Sequence, residues 1–134
     1  MIIYLHGFCS SPAAWKARLL AEEMARRGLS EQFACPQLPP VPDEAVALVG
    51  ELIARAEGPV TLIGSSLGGH YANYLAEKHD LNAVLINPAA VGAMDLDIFV
   101  GNHVNFHTGA AFSFSQTHAE QLRAQVTLPT ARRY

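Results

Sequence analysis

The pentapeptide Gly64-Ser65-Ser66-Leu67-Gly68 has the G-x-S-x-G pattern of a serine nucleophile. It joins a predicted strand, residues 60–63, to a predicted helix that begins at Leu67. A serine on such a turn is held in a strained backbone conformation, with its hydroxyl raised above the sheet. We therefore interpret Ser66 as a nucleophile for attack on an acyl ester or a related carbonyl. The alternative is a Gly/Ser-rich turn that only caps the helix or binds an anion.

The residues around Ser66 fit the same chemistry. Gly64 and Gly68 flank it because strand and helix backbones nearly touch there, so that a Cβ would clash. Attack on a carbonyl also needs two backbone N–H donors for the oxyanion, and the residue after the nucleophile, Leu67, supplies one of them. The N-terminal dipole of the following helix adds to this stabilisation.

The second donor is expected in a loop after an earlier strand of the sheet. His6-Gly7-Phe8 directly follows the first apolar run, which places Phe8 in this role, with Cys9 as the fallback. Gly7 lets the backbone approach the reacting carbonyl. His6 is expected only to shape the loop by hydrogen bonding.

Short apolar runs alternate with amphipathic stretches along the first two thirds of the chain. Ser11 is predicted to cap the first helix, with Pro12 at its first position and Gly28 after its last residue. Pro36 would remove a ladder hydrogen bond, which indicates an edge strand there. The order predicts a parallel sheet between helices, a three-layer α/β/α sandwich. The predicted strands are 2–5, 33–38, 60–63 and 83–86, and the predicted helices are 12–27, 43–56 and 67–78.

Residues 89–134 show a different pattern. We interpret them as a cap-like excursion over the sheet, without a convincing strand over 93–118. Thr117 to Gln125 is predicted as a short helix, and only 126–128 hints at further sheet. The whole chain is expected to be one domain, residues 1–134, with 89–134 as this excursion.

Three motifs together resemble the YqiA-like esterase family, small bacterial α/β-hydrolases: His6-Gly7-Phe8-Cys9-Ser10-Ser11-Pro12, Gly64-Ser65-Ser66-Leu67-Gly68-Gly69 and Leu85-Ile86-Asn87-Pro88-Ala89. The resemblance implies the α/β-hydrolase fold with strand order 33–38, 2–5, 60–63, 83–86. It also implies hydrolysis of short acyl esters or thioesters without metal or organic cofactor. Cys9 and His70 fall at variable positions of these motifs, where packing explains them better than substrate contact.

A hydrolase triad needs an acid and a histidine after the nucleophile. The family keeps both after later strands that this sequence lacks. A local substitute would combine Asp95 or Asp97 with His103, His107 or His118, but no predicted strand positions any of them. His79-Asp80 lies at the far end of the third helix, roughly 18–20 Å from Ser66 at 1.5 Å per residue, and is excluded.

The composition of the chain argues against several other classes of function. Half of the residues are hydrophobic, 16% are charged and the formal net charge is −3. There is no basic stripe for nucleic acid or for an anionic membrane, and no long apolar run. No signal peptide is expected at the N-terminus, and a reduced cytoplasmic protein is therefore predicted. His103-x-x-x-His107 would face one way on a helix, yet its surroundings favour a solvated loop over a metal site.

Two expectations concern the chain as a whole. With no strand-borne acid or histidine after residue 88, the 134 residues are interpreted as a fragment that is catalytically crippled by itself. Strand 83–86 would then lie at a bare sheet edge and invite self-association. The rivals to a small-molecule esterase are a non-catalytic fold that binds a ligand or partner, and an acyltransferase.

Overall fold

Four strands and three helices alternate in the first two thirds of the chain, followed by a hairpin and a fourth helix. A computed structural model describes residues 1–129 of the 134. The strands are β1 (Ile2–Leu5), β2 (Phe33–Ala34), β3 (Thr61–Ser65), β4 (Asn82–Ile86), β5 (Gly101–Val104) and β6 (Ala111–Phe114), and the helices are α1 (Trp15–Arg26), α2 (Pro42–Arg55), α3 (Leu67–His79) and α4 (Gln116–Ala124).

The first four strands form one parallel sheet in the order β2-β1-β3-β4. In its register Ile2 lies between Phe33 and Thr61, and Leu62 lies beside Ala83. The strand order predicted from the family resemblance is therefore confirmed. Within residues 1–129, β4 is paired on one side only.

Helices cover both faces of this sheet. Successive strand residues point to opposite faces. Ile3 and Leu5 belong to the main hydrophobic cluster together with residues of α2 and α3. Tyr4, which is 2% exposed, lies outside that cluster, as does Ala17, the buried residue of α1. The predicted three-layer α/β/α class is confirmed.

The predicted start of α1 is wrong. The helix begins at Trp15, and Ser11 does not cap it. Instead the Ser11 hydroxyl accepts a hydrogen bond from the Ala13 N–H at 3.0 Å, and its carbonyl accepts one from Ala14. A serine that satisfies neighbouring amides in this way favours a turn over a helix. The end of the helix agrees with the sequence, because Gly28 adopts φ +72° just beyond it.

Two predicted strands differ from the structure. The strand predicted over 33–38 is only Phe33–Ala34, because the chain leaves the sheet before Pro36; the edge position is as predicted. Residues 126–128 form no strand.

The excursion after β4 contains an unpredicted hairpin. Strands β5 and β6 pair antiparallel, with His103 opposite Phe112. Gly109 takes φ +72° in the connection, and the Asn105 side chain accepts hydrogen bonds from two loop amides. The predicted helix near 117–125 is confirmed as α4, and it starts with a reciprocal capping box between Ser115 and His118.

Candidate active site

Ser66 is the single residue between β3 and α3, and its backbone is in an unusual conformation. Its φ is 57° and its ψ is −118°. Non-glycine residues held in such regions store about 1–3 kcal/mol of strain and persist only where their surroundings fix them. Here the Ser66 N–H donates to the Ile86 carbonyl at 3.0 Å, and the Ser66 carbonyl accepts from Ala89 at 2.9 Å. The side chain of Ser66 is exposed.

The two glycines of the turn have no room for a side chain. A Cβ on Gly64 would lie 2.1 Å from the Gly68 carbonyl oxygen, and a Cβ on Gly68 would lie 1.9 Å from the Leu5 carbonyl oxygen. Strand β3, helix α3 and strand β1 thus approach each other at backbone distance. This contact is what allows a one-residue turn between β3 and α3.

The loop after β1 lies directly against Ser66. A Cβ on Gly7 would be 3.4 Å from the Ser66 Cβ and 3.8 Å from its hydroxyl oxygen. The loop continues as a tight turn, in which the Ser10 N–H donates to the Gly7 carbonyl at 3.2 Å and Cys9 takes φ 59°. The sheet therefore brings the two sequence motifs together through its neighbouring strands β1 and β3.

Several amides near this contact make no hydrogen bond to the part of the protein that the structure describes, residues 1–129. They are the N–H groups of Leu67, Phe8 and Cys9. Leu67 opens α3, where the first N–H groups have no acceptor inside the helix and carry the positive end of its dipole. The donors needed for an oxyanion are thus free on both motifs.

His6 shapes the loop, as the sequence predicts. Its Nδ1 lies 2.9 Å from the Gly7 carbonyl and its Nε2 lies 2.8 Å from the Leu38 N–H. Because the carbonyl can only accept and the amide can only donate, the ring is neutral with its proton on Nδ1. Burial lowers the pKa of His6, which favours this neutral form.

Phe8 anchors the loop with its side chain. Its ring makes edge-to-face contacts with four aromatic rings whose centroids lie at 5.0–5.7 Å: Phe99, His103, Phe112 and Phe114. The hairpin also holds the loop's backbone, since the Phe106 N–H donates to the Cys9 carbonyl at 2.9 Å and the Asn105 side chain donates to that of Ser10 at 2.6 Å. Sequence reasoning missed this support, although the alternation of Phe112 and Phe114 is a strand signal.

The candidate substitute acids have other partners. Asp95 accepts a hydrogen bond from the Asp97 N–H at 3.1 Å at the start of a short 3₁₀ turn. Asp97 lies 3.6 Å from Arg123 in an exposed ion pair. Neither carboxylate is hydrogen-bonded to a histidine within residues 1–129.

Two of the three candidate histidines are hydrogen-bonded elsewhere. His103 binds the Phe99 carbonyl, and His118 accepts from the Ser115 N–H at 3.0 Å, while His107 is exposed in the hairpin loop. The structure places the His6-Gly7-Phe8 loop beside the nucleophile candidate Ser66, and within residues 1–129 no histidine or carboxylate is hydrogen-bonded to its hydroxyl.

Cys9 and His70, the two variable positions of the motifs, are both buried. His70 is 6% exposed, and its Nε2 lies 3.2 Å from the Gln125 side-chain oxygen, near the end of α4. Cys9 is 8% exposed, and burial raises the pKa of its thiol, which disfavours the reactive thiolate.

The described part of the chain, residues 1–129, holds neither a metal-ligand cluster nor a membrane-spanning helix. Among residues 1–129, no three His, Cys, Asp or Glu side chains are grouped so that they could hold a metal ion. His103 and His107 lie on β5 and its loop rather than on one helix. No helix in that part of the chain is long and apolar enough to cross a membrane.

A parallel sheet in this order, with a positive-φ serine between β3 and α3, defines the α/β-hydrolase fold, and solved structures agree. Mouse alpha/beta hydrolase domain-containing protein 10 superposes with a TM-score of 0.69 at 19% identity, over 94% of this chain and 61% of its own. One chain from the structural work on the metagenome-derived lipolytic enzymes LipS and LipT superposes with a TM-score of 0.59 at 20% identity, over 92% of this chain and 62% of its own. A pyrethroid hydrolase from Sphingobium faniae JZ-2 superposes with a TM-score of 0.51 at 22% identity, over 77% of this chain and 42% of its own.

The chain belongs to UPF0227, an uncharacterised protein family whose match spans residues 1–133. This confirms the resemblance to the YqiA-like esterases. The structural neighbours share the fold at low identity, and the chain spans about 61% of the length of the first of them.

Proposed function

We propose that this chain carries the nucleophile and the oxyanion donors of a serine hydrolase that cleaves short acyl esters or thioesters. The observation that carries the proposal is the strained φ of Ser66, on a turn that lies against the Gly7 loop and is followed by the unpaired amide of Leu67. Strain at a residue whose backbone is fixed from both sides is typical of functional positions. Gly7, Gly64 and Gly68 make the required close approach.

In the proposed reaction the Ser66 oxygen bonds to the carbonyl carbon while its proton passes to a general base. The amides of Phe8 and Leu67 hold the negative charge on the carbonyl oxygen. Collapse breaks the bond to the alcohol or thiol, which takes the proton from the base. Water then repeats the sequence on the acyl-serine and releases the acid. Cys9 is the alternative donor to Phe8.

We assign the base and its acid partner to residues outside 1–129. The support is that none of the three histidines considered as substitutes is hydrogen-bonded to the Ser66 hydroxyl within residues 1–129. His103 and His118 are held by other hydrogen bonds, and His107 is exposed in the hairpin loop. The 134-residue chain alone is then expected to lose nearly all turnover, because no base would take the proton of the Ser66 hydroxyl during attack. The compartment proposed is the cytoplasm, where Cys9 and Cys35 stay reduced.

A fluorophosphonate probe on the natural full-length protein tests this proposal. The probe should add to Ser66, and Ser66→Ala should abolish both labelling and ester turnover while leaving far-UV circular dichroism unchanged. Ser65→Ala, one residue earlier on β3, is the matched control and should keep both. Labelling that persists in Ser66→Ala, or that maps to Ser65 by peptide mass spectrometry, contradicts the assignment.

The second candidate is a non-catalytic fold that binds a ligand, and it is favoured by the absence of a hydrogen-bonded base at Ser66 in residues 1–129. It predicts no labelling of Ser66 in the full-length protein. Acyl transfer is the third candidate. Formation of a new ester or thioester when an alcohol or thiol acceptor is added would distinguish it from hydrolysis.

A further inference from the structure

Two cavities of different character meet at Phe8 and Leu67, which line both. The smaller, about 120 Å³, is the one that Ser66 lines. Apart from Ser66, every side chain around it is apolar, with Met94, Leu96 and Phe114 among them. The larger, about 710 Å³, has polar side chains in its wall: His6, Ser10, Gln37, Asn105 and Thr108.

We infer that the small cavity binds the acyl chain of the substrate and that the larger one receives the leaving group, an inference that rests on the proposed function. A carbonyl bonded to Ser66, with its oxygen on the amides of Phe8 and Leu67, sends its two other substituents in different directions. A saturated acyl chain has no polar atom and matches walls that offer none. Of these two cavities, it is the larger that offers donors and acceptors to a leaving group that carries polar atoms.

The volume sets the length of the acyl chain. A closed apolar cavity of about 150 Å³ accepts benzene, with six carbons. By proportion, the cavity of about 120 Å³ beside Ser66 holds about five carbons beyond the carbonyl, a hexanoyl chain. Each buried methylene should raise kcat/KM about fourfold until the cavity is full. Longer chains should gain nothing more.

Ala89 offers a variant that fills the cavity. It lines the space beside Ser66, and its contact with Ser66 is a main-chain hydrogen bond that a side-chain change leaves in place. Ala89→Leu adds three carbons and leaves room for about two. The ratio of kcat/KM for hexanoyl over acetyl p-nitrophenyl esters should then fall about sixtyfold, three methylenes at about fourfold each.

Matched control variants separate the effect of filling the cavity from a general loss of activity. Ala90, the next residue, is exposed and lines neither cavity, so Ala90→Leu should keep the wild-type ratio. Met94 forms part of the wall and is 37% exposed, so Met94→Ala should move the optimum to longer chains. Ile98 is 72% exposed and lies outside both cavities, so Ile98→Ala should leave the optimal chain length unchanged.

The measurement uses the full-length protein and p-nitrophenyl esters from acetyl to decanoyl, with thermal unfolding of each variant. Ser66-dependent turnover whose chain-length ratio is the same in Ala89→Leu and Ala90→Leu overturns the inference and leaves the proposed function standing. Absence of any Ser66-dependent turnover rejects the proposed function instead. In that case binding of the carboxylates acetate to octanoate, measured by NMR, tests the cavity. Affinity that rises to about hexanoate and falls in Ala89→Leu supports the inference, and a flat series overturns it.

Discussion

Gly68 lies where α3 meets β1, and a single methyl group there should be among the most damaging changes in the chain. A Cβ on Gly68 would lie 1.9 Å from the Leu5 carbonyl oxygen, whereas an ordinary van der Waals contact is at least 3.4 Å, so the two backbones must separate by about 1.5 Å. Leu5 is fully buried on a strand paired on both sides and cannot move that far without losing ladder hydrogen bonds.

Gly68→Ala should therefore exceed the usual 1–3 kcal/mol cost of overpacking and lose at least about 3 kcal/mol of unfolding free energy. Gly50→Ala is the matched control, because Gly50 lies inside α2 with no atom within 4 Å of its would-be Cβ. That change should stabilise the protein by about 0.5–1 kcal/mol through helix propensity. Urea unfolding followed by circular dichroism measures both. If Gly68→Ala unfolds within about 0.5 kcal/mol of the wild type, the backbone contact is not as described.

Two further predictions concern the loop and the buried histidines. Gly7→Ala should be tolerated, because its Cβ would make ordinary contacts with Ser66. The extra methyl groups of Gly7→Val should displace the loop and slow fluorophosphonate labelling of Ser66 at least about 10²-fold, the effect of losing one oxyanion donor. Equal labelling rates for the two variants would contradict this prediction. Burial lowers the pKa of His6 and His70 below the ordinary 6.5, so the unfolded chain takes up protons that the native state does not. Their contribution to stability should be complete above about pH 6.5 and be lost as the pH falls toward the folded-state pKa. The double variant His6→Gln, His70→Gln should flatten the loss of unfolding free energy between pH 7.5 and 5, and an unchanged slope would refute the assignment.

The fold was largely predictable from the sequence because most elements have strong local signals. The apolar face of α2 repeats at helical spacing, and Pro36 ends β2 early at the sheet edge. The start of α1 was not predictable from residue types, since Ser11 can cap a helix or close its own turn with the same hydroxyl. What decided between them was the surrounding loop, in which Ser11 is 2% exposed.

The candidate site, like the fold, could be predicted from the sequence only in part. The closeness of Gly7 to Ser66 follows from a parallel sheet, because β1 and β3 end side by side. The hairpin's support of Phe8 does not follow from any local pattern. It depends on contacts between residues about a hundred positions apart, such as Asn105 with the carbonyl of Ser10. Short strands of this kind gain their stability from what they pack against, which a sequence window does not contain.

The backbone of Ser66 is tied to β4 at both ends. Its N–H binds the Ile86 carbonyl, the last residue of that strand, and its carbonyl binds the Ala89 N–H just beyond. Within residues 1–129, β4 has a neighbour on one side only. The positive φ of Ser66 thus depends on a strand with half of the usual pairing. Anything that pairs with the free side of β4 should stiffen the geometry of Ser66 from a distance, and fraying of β4 should let its backbone relax toward an ordinary conformation.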